Sequence, residues 1–178
     1  LVARRAASLE VHVVDEAGRA LPSKISLRLL DGTGAEQLAD LGDPYLAGGL
    51  SNVVWAPHGE ARIDLPAGRS QVYATRGIEY SIWDSELQGY PQGVPLNSGG
   101  HSRLDMVLSR EMDTSGFISA DLHVHAAPSH DSGVPLDLRV TTMACEGVEY
   151  FAATDHDVIS DIRPALQKMG LEAWVQGS

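Results

Sequence analysis

The sequence predicts two units in series, an all-β antiparallel sandwich followed by an α/β unit. Three observations predict it. From Leu9 to about Arg110, short runs alternate apolar and polar residues between turns that carry Gly and Pro. Residues 112–116, "MDTSG", form a polar, turn-rich link. After the link come a strand, a helix, a strand, a helix and a strand, the order that builds a parallel sheet. The chain thus divides into a tail (1–8), a sandwich (9–110), a linker (111–116) and an α/β unit (117–178).

Within the sandwich, Val11 and Val13 alternate ahead of a "DEAGR" turn, and Ile25, Leu27 and Leu29 form a second alternating run. Ile63 and Leu65, a "PAG" turn, then Val72 and Ala74 repeat the pattern, and Leu104, Met106 and Leu108 close it. Two segments look irregular, residues 40–59 and "YSIWDSELQGYPQGVPLNSGG". Tyr80, Trp83 and Tyr90 in the second either pack or offer a ligand-binding face. His12, His58 and His101 are isolated and are expected to be structural or exposed. The order of a "DEAGRALP" turn, an "LPAG" hairpin and an "LDMVL" strand resembles the carboxypeptidase-regulatory-like or transthyretin-like sandwich. That resemblance implies an accessory module.

In the α/β unit, "FISADLHVH" alternates clearly. Ile118, Ala120, Leu122 and Val124 share an apolar face; Phe117, Ser119, Asp121, His123 and His125 share the other. "VPLDLRVTTMACEG" places Leu136, Val140, Met143 and Ala144 at helical spacing, with Pro135 at its start and Gly147 past its end. "VEYFAATDH" reads as a buried parallel strand. "SDIRPALQKMG" fits a second helix, with Ser160 or Asp161 as its cap and Gly170 beyond it, and "LEAWVQGS" a third strand.

Composition narrows the function classes. Apolar content of 43% and charged content of 21% are those of a soluble globular protein. No apolar run nears the roughly 20 residues that span a bilayer. The net charge of -11 repels phosphate backbones and argues against nucleic-acid binding through a basic face. From Phe117 onward, nine Asp/Glu against three Lys/Arg leave -6, which suits a site for cations or a solvated acidic surface. The single cysteine, Cys145, excludes an internal disulfide and a cysteine-based zinc site, and reads as buried packing. The cysteine count leaves the compartment open.

Two short stretches carry the chemistry, "DLHVHAAPSHDSG" and "ATDHD". Residues i and i+2 of a strand point the same way, so His123 and His125 aim both imidazoles at one point. Parallel strands joined through a helix end at the same sheet edge, so His156 arrives beside them. The intervening loop adds His130 and Asp131 above that edge, where parallel α/β proteins put their active sites.

"DLHVH", an acidic loop residue, a helix and "ATDHD" resemble the first two motifs of the polymerase-and-histidinol-phosphatase (PHP) family of metallohydrolases. A sandwich ahead of such a unit is reminiscent of its carbaryl-hydrolase-like branch. The resemblance implies the first β-α-β-α-β part of a truncated, TIM-like (β/α)7 barrel. It implies two or three divalent ions, Zn, Mn or Fe, and hydrolysis of a small-molecule phosphoester, ester or carbamate by metal-bound hydroxide. His123, His125 and His156 match metal ligands of the family. The loop ligand falls on Asp131 or, alternatively, on His130. Asp121 and Asp155 match residues that bond to ligands, and Asp157 is a candidate helix cap. No catalytic residue beyond the metal ligands is assignable. A barrel takes roughly 200–250 residues, whereas only 62 follow Gly116 (178 minus 116). The expectation is therefore a fragment with little turnover, its missing strands supplied by the rest of a longer chain or by a partner. The competing expectation is a non-catalytic ligand-binding sandwich with a structural or vestigial metal site.

Overall fold

The computed structural model describes residues 6–30, 33, 35–41 and 51–178. Among the described residues the sandwich unit contains nine strands: β1 (Ala7–Val14), β2 (Ser23–Leu30), β3 (Glu36–Leu38), β4 (Val53–Ala56), β5 (Glu60–Leu65), β6 (Gly68–Thr75), β7 (Trp83–Asp84), β8 (Val94–Leu96) and β9 (His101–Val107). One sheet runs β5-β1-β9 and the other β3-β2-β6-β7, with β4 paired to β2 and β8 to β6. The alternating residues are the ones buried: Leu9, Val11 and Val13 face Ile25, Leu27, Val72, Ala74, Leu104 and Met106 in one core. The expected antiparallel pairing holds except between β1 and β9, which are parallel from Ser8↔His101 to Val14↔Val107. Both segments read as irregular contain strands in their described parts, β4 in the first and β7 and β8 in the second. Residues 42–50 of the first, and residues 1–5 of the tail, lie outside the described residues.

The α/β unit follows as β10 (Ala120–Val124), α1 (Leu136–Cys145), β11 (Tyr150–Ala153), α2 (Arg163–Met169) and β12 (Gln176–Gly177). Its strands pair in parallel in the order β10-β11-β12. Both crossovers step the same way across the sheet, so right-handed connections put both helices on one face. Val124, Phe151, Val140, Ala144, Ile162 and Leu166 accordingly share one core. Gly170, at φ 64°, closes α2 in the left-handed conformation that glycine adopts at no steric cost.

Three expectations are corrected here. The opening of a (β/α)7 barrel does not form: the described residues are mostly β, in three small sheets with two short helices. Strands of five, four and two residues make an open sheet whose two edge strands each have one neighbour, whereas a barrel pairs every strand on both sides. The apolar face of β10 is not buried as a whole. Val124 is covered, but Ile118 and Leu122 are 68% and 67% exposed: Ile118 precedes the strand, and the register shifts between Asp121 and Val124, so simple alternation does not hold along β10. Asp157 does not cap α2, which starts six residues later; it occupies a turn at φ 59°.

The two units meet at the C-terminal end of α1. Arg76, at the end of β6, donates through Nη1 to Pro22 O (2.9 Å) and to Ala144 O, and its guanidinium lies 4.8 Å from the Trp174 ring centre. Lys24 of β2 pairs with Glu146. Gly77, at φ 58°, passes so close that a Cβ there would sit 2.4 Å from Glu146 O. Cys145 is buried at this seam, and burial pushes its thiol up to about 12. It is packing, as its position in the sequence predicts.

Candidate metal centre

β10 carries the first histidine, and the chain's exit from it carries the second. β10 ends at Val124, and its pleat turns Asp121 and His123 to the polar side. The chain then leaves the sheet at His125 and folds back. Ala127 N–H donates to Val134 O (2.7 Å) and Ser129 N–H to Ala126 O (2.8 Å), a tight loop that carries Asp131 back over His125. β11 ends beside β10, with Thr154 N–H donating to Val124 O (2.8 Å), and the next turn presents His156. Ligating atoms of His125, Asp131 and His156 all lie within 4.8 Å of one another.

His123 joins this group through His125, their Nε2 atoms 3.0 Å apart. The other face of His125 meets Asp131, with Nδ1 at 2.8 Å from Oδ2 and 3.0 Å from Oδ1. His156 Nε2 lies 3.3 Å from the same Oδ2. The Ser129 hydroxyl, then the His125 ring, hold the Asp131 carboxyl at about 2, below its ordinary 3.8. Asp131 is thus ionised at neutral pH and only accepts, so the proton of neutral His125 sits on Nδ1. Its Nε2 lone pair then points toward His123. This is the carboxylate–histidine arrangement that fixes a ligand's tautomer, and it leaves the outer lone pairs of Asp131 toward His156.

Each expected residue has a defined place. Asp131, rather than His130, is the loop residue brought into the cluster; His130 is exposed, its ring 5.0 Å from that of His156. Asp121 Oδ1 accepts the His123 backbone N–H (3.1 Å). Asp155 is buried, and its carboxylate takes the Ala126 N–H (2.7 Å) and the Ser160 hydroxyl rather than a histidine ring. It staples the exits of the two strands together. Ser160 is thereby occupied, and Asp161 instead accepts the Arg163 N–H at the start of α2 (3.1 Å).

Ser129 went unnoticed in the sequence. It is 2% exposed, donates to Asp131 Oδ1 (2.5 Å) and accepts the His156 backbone N–H (3.0 Å), so one hydroxyl bridges the two motifs. A Ser two residues before an acidic loop position is a weak signal, since local Ser–Asp turns are common. His12 and His101 lie apart on the sandwich, beside Glu60 and Asp105 and beside Glu10 respectively. Trp83 is buried in the sandwich core with Tyr80 and Tyr90 packed against it, so the aromatic residues of that segment are mainly packing.

The residues present fit a divalent cation. Imidazole nitrogens and a carboxylate oxygen are donors that suit Zn, Mn or Fe. Two nitrogens 3.0 Å apart match the spacing of neighbouring ligands on one ion with bonds of about 2.0–2.1 Å. The cluster borders an open cleft of about 390 Å³, so an ion has access.

Among the described residues no helix is long and apolar enough to cross a membrane. No protein-family model matches the chain, and no curated protein matches its sequence. Among solved structures, the Bacillus anthracis TIE protein is similar with a TM-score of 0.36 and 13% identity, over 74% of this chain and 20% of that one. The chain thus spans about a fifth of that protein's length, and a likeness this distant carries no argument about fold or function.

Proposed function

We propose that the chain binds divalent metal ions at His123, His125, Asp131 and His156, with His123 and His125 sharing one ion and Asp131 and His156 serving a neighbouring one, and belongs to a metal-dependent hydrolase of the PHP type. The observation that carries the reading is the convergence of two separate motifs, "DLHVH" and "TDH", on one spot at the ends of adjacent parallel strands. A bound divalent ion supplies Lewis acidity and a water activated at neutral pH. The chain's own residues do the rest. His123 and His125 present nitrogens to the ion, Asp131 fixes the His125 tautomer, and Ser129 holds Asp131 in place. Asp155 keeps the strand ends in register. The substrates are small phosphoesters or esters that reach the open cleft. The reading rests on the cluster and needs no closed barrel.

The test is elemental analysis of the purified protein after incubation with Zn, Mn or Fe, beside a His123→Ala/His125→Ala double variant. Near-stoichiometric metal that disappears in the variant is expected. Failure of the unaltered protein to retain any of the three ions would refute the reading.

A further inference from the structure

The cleft beside the histidines is also lined by a cation, Arg139, on the second turn of α1. Its Nε is buried and has no hydrogen-bond partner, and among the described residues no ion pair or hydrogen bond reaches its guanidinium. The carboxylates nearest in charge are Asp121 and Asp155. Neither reaches it within ion-pair distance: Asp121 accepts the His123 N–H through Oδ1, and Asp155 is taken through both oxygens by Ala126 and Ser160. The contrast with Arg76 is informative. Arg76 is more deeply buried and its Nε also lacks a partner, yet its Nη1 gives to two carbonyls, whereas the half-buried guanidinium of Arg139 gives to none.

An exposed helix arginine needs no partner, because water serves. One whose Nε is buried and unmatched is costly to keep, and the cost is recovered when an acceptor arrives. Among the described residues Arg139 is the only Lys or Arg lining the cleft, in a chain of net charge -11. A guanidinium presents a rigid fork of N–H donors that matches two oxygens of a phosphoryl or carboxylate group.

We infer that Arg139 binds an oxyanion of the substrate, and so selects substrates bearing a phosphoryl or carboxylate group over neutral esters and carbamates. The inference builds on the metal-dependent reading of the adjacent cluster. Arg139 acts as a specificity residue and does not itself hold the ion.

The experiment follows the Arg139 Nε–H signal by ¹⁵N NMR, assigned by its loss in Arg139→Lys, while inorganic phosphate or acetate is added. Metal-loaded and metal-stripped protein are titrated in parallel. The signal is expected to move on addition of phosphate, and Arg139→Gln is expected to weaken phosphate binding by about tenfold or more at unchanged metal content. A shift with phosphate alone points to a phosphoryl group, and an equal shift with acetate to a carboxylate. A signal that neither anion moves would overturn the inference, as would an Arg139→Gln protein binding phosphate as tightly as the parent. The two arms separate the readings. A shift that persists in protein unable to hold metal sinks the hydrolase reading and leaves anion recognition intact. Normal metal uptake with an unmoved signal does the reverse. Should Arg139→Gln fail to fold, the titration of the unaltered protein decides.

Discussion

Ser129 is the smallest unit on which the site depends. Its hydroxyl has one proton and two lone pairs, and it gives the proton to Asp131 while accepting the N–H of His156. Removing it frees the loop from the second motif without touching a ligand. Ser129→Ala is therefore expected to keep the fold and lower metal affinity by about 10–100-fold, the usual effect of losing a group that orients ligands. A competition titration with a chromophoric chelator reads this directly. Unchanged affinity would mean that the loop is held by its own backbone bonds, chiefly Ala127 N–H to Val134 O. Ser129 also shows where reading a sequence stops. That His123, His125 and His156 meet at one sheet edge is legible because strand ends and a parallel crossover bring their segments together before any contact is known. Ser129 and Arg139 are not, because their roles come from what the fold leaves beside them.

At the scale of elements, α2 is short enough that its first turn decides whether it forms. Asp161 accepts the Arg163 backbone N–H and pairs with the Arg163 guanidinium, which together hold its carboxyl at about 2 against an ordinary 3.8. The folded value is the lower one, so its stabilising contribution is fully present above about pH 4 and lost as pH falls toward 2. ¹³C carboxyl titration of Asp161 is expected to show this depressed midpoint. In Asp161→Asn, the part of the acid sensitivity of α2 that comes from this carboxyl should vanish. Helix and strand positions were largely legible for a related reason: caps and periodicity are local, as Pro135 before α1 and Gly170 after α2 show. What was not legible is instructive. β7 and β8 have two and three residues, too few to display a period. Alternation in "FISADLHVH" states that Ile118 and Leu122 share a face with Val124, and it does not show the register shift inside β10. It does not state that anything covers them, and the expected barrel failed on the same ground.

At the scale of the whole molecule, the seam between sandwich and α/β unit turns on Arg76. It is 4% exposed, and burial works against its charge, yet among the described residues no carboxylate pairs with it. Its contacts are the carbonyls of Pro22 and Ala144 and the faces of Tyr80 and Trp174. Ala144 O belongs to the last turn of α1, where carbonyls lack partners within the helix. Arg76→Ala removes a donor from Pro22 O and from Ala144 O, which keeps only the Gly147 N–H, and leaves a void, a loss of about 3 kcal/mol in denaturant unfolding. Arg76→Met keeps the stem in contact with Trp174 and removes a buried cation, so its cost should be smaller. Cys145 provides the second readout, since its thiol is buried at the same seam and its high pKa leaves almost no thiolate at pH 8. In the parent protein, modification by a thiol reagent should proceed only as fast as global unfolding. In Arg76→Ala it should outrun unfolding, because α1 then lifts from β2 and β4 locally. Equal rates in the two proteins would mean that the Lys24–Glu146 pair and the close approach at Gly77 hold the seam without Arg76. Since α1 begins directly after the loop that carries Asp131, a looser seam should also weaken metal binding, and the same variants measured for both properties test whether the sandwich supports the site.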